Sequence, residues 1–247
     1  LYNLAIDPAR VVVTSGTSPA MLMLFSVLIE AGEEIILSDP HYACHPSFIL
    51  SAMGSPVLVP AGAEEGFVLQ VNAVQERITP RTRCILINSP SNPMGVRLAK
   101  EEIEALAGLG PPLVSDEIYH GLSYGERDYS ALEFSDEAFI INGFSKYFAM
   151  TGWRLGWIIV PPDLVRPIER LAQNMFISPP TLAQHAAIAA FDCREELDRN
   201  VARYAENRAL LLDRLPAVGF DRLAPAEGAF YLYADVSHLT NDSETFC

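Results

Sequence analysis

The sequence predicts an α/β protein: a three-layer α/β/α arrangement around a mostly parallel sheet, followed by the start of a small α+β C-terminal domain. Two observations carry this expectation. Short β-branched runs alternate with longer segments of helical period, the order that builds strand–helix–strand units. The runs are also apolar along their whole length, as in strands buried on both faces.

In chain order the runs lie at residues 10–13, 34–37, 56–59, 84–88, 113–115, 139–142 and 157–160, rich in Val, Ile and Leu. Helical period occupies residues 18–31, 46–53 and 100–109 between them. Around Pro161 and Pro162 the alternation stops, and helical pattern fills 163–175, 181–191 and 194–215, the last laced with Arg and Glu as a solvated connector. Two short strand signals follow Gly219, at 220–223 and 229–234. The expected division is a large domain over residues 1–190, then a connecting helix and an incomplete small domain over residues 191–247. The sequence opens without Met and stops in a polar, helix-like stretch, so it reads as a piece of a longer protein.

Composition narrows the function. Acidic residues outnumber basic ones 31 to 17, for a formal charge of −14, which disfavours nucleic acid or an anionic membrane as partner. No apolar run reaches the roughly 18 residues that span a bilayer, and no export leader is evident, so a cytoplasmic protein is expected. Cys44, Cys84, Cys193 and Cys247 are scattered without a C-x-x-C pair, which argues against a disulfide framework or a metal site. The five histidines lack ligand spacing, and His41 and His45 are expected in a Pro-bounded loop. Only two of the 17 basic residues are lysines, Lys100 and Lys146.

Ligands of open α/β sheets bind beyond the carboxyl ends of the strands, which makes each strand exit a candidate. The first exit, Thr14-Ser15-Gly16-Thr17-Ser18-Pro19-Ala20, runs into an apolar helix, and the free N–H groups of a first helical turn suit a phosphate. Taken alone it reads more simply as an ordinary N-cap. Asp39-Pro40-His41-Tyr42 can present an aromatic ring, and the prolines around Asn92 fix a rigid loop that can aim its amide. Asp116 ends a buried strand, where a carboxylate is costly unless a cation or hydrogen-bond donor satisfies it. Lys146 follows another buried strand, with Arg154 eight residues later. The exits together describe a ligand with a phosphate, a flat ring, a basic ring atom and a carbonyl for an amine. Pyridoxal 5′-phosphate (PLP) has all four.

Four segments carry a resemblance: Ser15-Gly16-Thr17-Ser18-Pro19-Ala20; Asn88-Ser89-Pro90-Ser91-Asn92-Pro93-Met94-Gly95; Ser115-Asp116-Glu117-Ile118-Tyr119; and Phe144-Ser145-Lys146 through Met150-Thr151-Gly152-Trp153-Arg154-Leu155-Gly156. In order and spacing the chain resembles the fold-type-I, PLP-dependent aminotransferases of the aspartate aminotransferase superfamily. The resemblance implies a PLP-dependent transferase-like large domain, an amino acid and a 2-oxo acid as substrates, and a homodimer. Lys146 would form the Schiff base and shuttle the proton, while Asp116 would pair with the ring nitrogen. Tyr119 and Asn92 would bond the ring oxygen, and Tyr42 would stack on the ring. Gly16, Thr17, Ser18, Ser145 and Arg154 would hold the phosphate.

There are departures. Gly143 stands where a phosphate-binding serine is common. The family's substrate-carboxylate arginine is expected beyond Cys247, since Arg222, the last arginine, precedes Glu227-Gly228-Ala229-Phe230-Tyr231. A piece of this extent should therefore hold the cofactor but turn over poorly. Carbon–sulfur lyases and the effector modules of some transcription regulators share the cofactor residues and are the alternatives. Gly121-Leu122-Ser123-Tyr124-Gly125 matches the serine-hydrolase elbow in letters only, because Asp116 to His120 intervene after the strand and no apolar helix follows.

Overall fold

A computed structural model of the chain describes Tyr2 and residues 4–246. The elements run β1 (Val11–Thr14), α1 (Thr17–Leu28), β2 (Glu34–Asp39), α2 (Cys44–Ser51), β3 (Ser55–Pro60), α3 (Val71–Gln75), β4 (Thr82–Asn88), α4 (Lys100–Ala107), β5 (Leu113–Asp116), β6 (Phe139–Gly143), β7 (Gly156–Ile159), α5 (Pro162–Met175), α6 (Thr181–Ala190), α7 (Arg194–Arg214) and α8 (Ser243–Phe246). All seven strands share one sheet in the order β1-β7-β6-β5-β4-β2-β3. Strands β3, β2, β4, β5 and β6 run parallel, and β7 is antiparallel to both its neighbours. This is the expected mostly parallel α/β sheet.

The two-residue strand period sorts the core into two faces. Ile35, Leu37, Leu86, Val114, Ile141 and Ile158 pack with α1 and α5 on one side. Ile36, Ile85, Ile87, Leu113, Ile140 and Ile159 pack with α4 and α6 on the other. Both faces are covered, so the strands carry no polar alternation. Helix α1 buries Met21, Met23, Leu24, Phe25 and Leu28. At roughly 1.5–3 kcal/mol for each such side chain, that burial fixes the start of α1 against the end of β1.

The strands fall within two residues of the sequence expectation at each end. The signals at 220–223 and 229–234 do not become strands. Leu223 and Ala234 form only an isolated bridge. Ala226 and Ala229 have φ of 51° and 56°, a left-handed conformation that breaks an extended run. No helix among the described residues is long and apolar enough to cross a membrane.

Candidate active site

The carboxyl ends of β1, β4, β5 and β6 bring their loops to one place. At the first, Gly16 precedes α1 with φ 98° and ψ 177°, a combination open essentially to glycine alone. No side chain caps this helix, which leaves the first-turn N–H groups of Thr17 and Ser18 without a side-chain capping partner. The Thr14 hydroxyl donates to the Gly16 carbonyl at 2.9 Å and steadies the turn. A Cβ on Gly16 would sit 2.8 Å from Nη2 of Arg154, so the guanidinium lies directly against the turn. Arg154 itself has φ 50°, and its Nη1 donates to the Thr151 carbonyl at 3.0 Å and to Ser145 Oγ at 3.5 Å. Gly156 lets β7 approach, since a Cβ there would lie 3.0 Å from the Gly16 carbonyl carbon. Backbone N–H groups, a hydroxyl and a guanidinium thus converge as an anion cradle.

Asp116 closes β5 and is 4% exposed. Its Oδ1 accepts from the Ile118 N–H at 3.2 Å, and its Oδ2 lies 3.2 Å from Nε2 of His45, which is 2% exposed. The sequence reading missed His45. It sits in the first turn of α2 rather than in a loop, because α2 starts at Cys44, two residues earlier than the helical period suggests. The signal that could have found it is its position three residues after Tyr42, one helical turn on. The Tyr42 ring meets the His45 ring edge-on at 5.2 Å, and its hydroxyl is pushed up to about 12, first by the neighbouring Cys44 and then by burial.

Lys146 leaves the turn after β6. Its Nζ stands 5.5 Å from the ring centres of both Tyr119 and Phe230. Burial lowers its basicity, Asp116 opposes that shift, and Arg154 adds to it. The Asn92 amide donates to Tyr119 Oη at 3.4 Å and to Tyr231 Oη at 3.2 Å, and the two phenols are 2.5 Å apart. Burial and the contact with Tyr231 hold the Tyr119 hydroxyl well above the usual phenol range, so it remains a donor. Asn88 positions the loop: its Oδ1 accepts from Asn92 N–H at 2.8 Å and its Nδ2 donates to the Asp116 carbonyl at 2.9 Å.

Among the ten expected residues, contacts join Arg154 to Gly16 and Ser145, and Tyr119 to Lys146 and Asn92. Phe230 and Tyr231 were not among them. They arrive on a segment from far along the chain, pinned where Gly228 N–H donates to the Gly95 carbonyl at 2.9 Å and Ala229 N–H to the Leu122 carbonyl at 2.7 Å. Gly228 passes so close to Pro90 that a Cβ would lie 2.5 Å from its Cγ. Gly143 is also confined, because a Cβ would meet the Leu155 carbonyl at 3.0 Å, so a serine there fits only if its backbone neighbours give by a few tenths of an ångström. Ser123 is no elbow: its hydroxyl donates to Asp128 at 2.5 Å, away from any histidine bond.

Sheet and site place the protein among the fold-type-I PLP enzyme folds. The chain matches the family model for aminotransferase class I and II over residues 1–246, and it belongs to that family. It is 43% identical to a valine–pyruvate aminotransferase of Mycobacterium tuberculosis, covering 100% of this chain and 65% of that protein. It is 36% identical to an aspartate aminotransferase of Geobacillus stearothermophilus, covering 92% and 60%. A crystal structure of an aminotransferase from M. tuberculosis superposes with a TM-score of 0.94 at 41% identity, over 99% of this chain and 65% of that one. Aspartate aminotransferase from Thermus thermophilus with maleate gives 0.92 at 35% identity, over 98% and 65%. The chain thus spans 60–65% of the length of these relatives.

Proposed function

We propose that this polypeptide carries the cofactor-binding core of a PLP-dependent aminotransferase, which moves an amino group between an amino acid and a 2-oxo acid at Lys146. The observation that carries this reading is the position of the Lys146 amine. It is made less basic by burial, it lies 5.5 Å from the Tyr119 ring centre, and both the Arg154 guanidinium and the buried Asp116 carboxylate act on it. The donor set fits the cofactor: N–H groups, a hydroxyl and a guanidinium for the phosphate, a carboxylate for the ring nitrogen, and two hydroxyls with an amide for the ring oxygen. Bound there, PLP supplies an aldehyde carbon for attachment and a ring that accepts electrons from the substrate carbon.

In this reading each residue has a task. The first turn of α1, Ser145 and Arg154 hold the phosphate through charge-assisted bonds. Asp116 keeps the ring nitrogen protonated, because an adjacent carboxylate favours the cation, and His45 orients that carboxylate. Tyr119 and Asn92 direct hydrogens at the ring oxygen, while Tyr42 covers a ring face. Its lowered basicity leaves more of the Lys146 amine neutral, so it can take the proton from the substrate α-carbon and return it elsewhere. The division into a large domain to residue 190 and the start of a small domain belongs to the same proposal, as do a homodimer and a cytoplasmic location. The sheet's last strand in chain order ends at Ile159 and the elements from there to residue 214 are all helices, which supports the domain division, and the scattered cysteines fit a reducing compartment.

The test is direct. The full-length protein incubated with PLP should turn yellow, and borohydride reduction should leave the cofactor fixed to a peptide containing Lys146. It should then convert an added 2-oxo acid into an amino acid. Release of ammonia and pyruvate without that conversion would assign a lyase instead, and a colourless, unmodified protein would end the proposal.

A further inference from the structure

We infer that Tyr231 is a positioning residue for the cofactor's ring oxygen: its phenol links Tyr119 to Asn92 and sets the direction in which both present their hydrogens. The inference rests on the aminotransferase reading above and adds a residue to which that reading gives no task. Three segments far apart in the sequence meet here. Asn92 follows β4, Tyr119 follows β5, and Tyr231 lies 112 residues beyond Tyr119. Their polar atoms close a triangle. Tyr231 Oη is 2.5 Å from Tyr119 Oη, and the Asn92 amide donates to Tyr231 Oη at 3.2 Å and to Tyr119 Oη at 3.4 Å.

The hydrogens available assign the roles. Each phenol carries one and the amide carries two. The short contact between the phenols consumes one hydroxyl hydrogen, because one of them must donate and the other accept. Tyr119 serves the ring oxygen, an acceptor, only with its own hydrogen turned outward. That hydrogen is free only when Tyr231 is the donor within the pair.

Asn92 must also turn one amide hydrogen toward the ring oxygen. The longer of its two bonds, to Tyr119, is the weaker and the one it gives up. Tyr231 then accepts from Asn92 and donates to Tyr119, so a single phenol holds both donors from behind. By accepting from Tyr231, the Tyr119 oxygen also polarises its own O–H and becomes the stronger donor.

Backbone contacts hold Tyr231 in this place. Gly95, three residues after Asn92, has φ 69°, and a Cβ on it would lie 3.0 Å from the Gly228 carbonyl oxygen and 3.3 Å from the Tyr231 carbonyl oxygen. The Gly228 N–H donates to the Gly95 carbonyl at 2.9 Å, and the Ala229 N–H to the Leu122 carbonyl at 2.7 Å. The Asn92 loop and the Tyr231 segment therefore touch backbone to backbone. The Tyr231 ring meets Tyr119 edge-on at 5.7 Å and Phe230 at 5.0 Å. A phenol so confined needs little ordering when the cluster closes on a ligand.

The experiment is a pH titration of the visible absorbance of the PLP-loaded full-length protein, native and with Tyr231→Phe, Tyr119→Phe or both. A donor at the ring oxygen competes for its lone pairs with the proton on the cofactor-bound Lys146 nitrogen. Weakening that donor leaves the proton better held, so the absorbance midpoint moves to higher pH. Tyr231→Phe keeps the ring and removes only the hydroxyl, and its midpoint should rise by about 0.4–1.1 pH units, the worth of one neutral hydrogen bond. The rise should be smaller when Tyr119 is already Phe, because Tyr231 then has one donor fewer to direct. A role in packing alone would leave the midpoint in place. An unmoved or lowered midpoint, a native absorbance indifferent to pH, an equal rise with and without the Tyr119 hydroxyl, or loss of PLP from Tyr231→Phe alone would overturn the inference. A native protein that stays colourless with PLP would instead overturn the reading on which it rests.

Discussion

Replacing Gly16 with alanine tests the anion cradle at its tightest point. Its φ of 98° with ψ of 177° is a region that side-chain-bearing residues avoid, and holding one there costs about 1–3 kcal/mol. For a domain of this size each kcal/mol moves Tm by roughly 2–4 °C, so the cofactor-free Gly16→Ala protein should melt about 2–12 °C lower. A second effect is local. The new Cβ would lie 2.8 Å from Nη2 of Arg154, a flexible group that can move only by giving up its place beside the α1 N-terminus. A lost charge-assisted bond costs about 1.5–3 kcal/mol, equivalent to about 10- to 150-fold in PLP affinity. Calorimetry of the cofactor-free protein and spectrophotometric titration with PLP separate the two effects. Unchanged Tm together with unchanged Kd would refute the reasoning from backbone conformation and from contact alike.

Four further outcomes are expected. Tyr119→Phe removes the hydroxyl shared with Asn92 and Tyr231, and kcat should fall by about 5- to 30-fold, the worth of one hydrogen bond at the reacting group, while PLP absorbance persists. His45→Ala strands a buried carboxylate oxygen of Asp116 and should destabilise the protein by about 2–4 kcal/mol, read by urea denaturation. Lys146 is depressed chiefly by burial, so the unfolded chain binds its proton better and folding bears that cost until pH passes the ordinary lysine range near about 10.4. Lys146→Met should therefore raise the Tm of the cofactor-free protein at neutral pH, by a margin that shrinks as the pH approaches that value. Glu117 is pushed up chiefly by burial, so its share of stability is present below the ordinary carboxylate value near about 4.3 and is lost as pH rises through its raised folded value. Glu117→Gln keeps an acceptor for Ser130 and Ala131 without that loss, so its Tm should decline less than the native one above about pH 4.3.

The residues legible in the sequence are those whose role follows from position on a strand. Lys146, Asp116 and Gly16 each lie just past a run of buried apolar residues, and parallel strands put those exits at one edge of the sheet. His45 was illegible for a local reason. Its role depends on where a helix begins, and the apolar period of α2 resumes only after the first turn that carries the histidine inward. Phe230 and Tyr231 were illegible for a global reason. The pair Tyr119 and Tyr231 meet across 112 residues, and no periodicity encodes a contact of that span. The only local trace is glycine at position 228, where close passage over Pro90 leaves no space for a side chain.

That long-range contact depends on a group the strand pattern does not explain. Glu117 is wholly buried one residue after Asp116, and its Oε1 accepts from Ser130 Oγ at 2.9 Å and from Ala131 N–H at 3.0 Å. It thereby ties the end of β5 to the far side of the loop that carries Leu122, Ser123 and Tyr124. Those residues hold the incoming segment: Tyr124 N–H donates to the Glu227 carbonyl at 2.8 Å, and Ser123 bridges to Gly228. A side chain pointing away from the site thus fixes the loop that delivers Phe230 and Tyr231 to Lys146. Alternate residues of one strand end serve the two sides, Asp116 facing the site and Glu117 bracing its wall. The two-residue period of a β-strand makes such a division available wherever two acidic residues are adjacent, and the polar partners across the fold decide whether it is used.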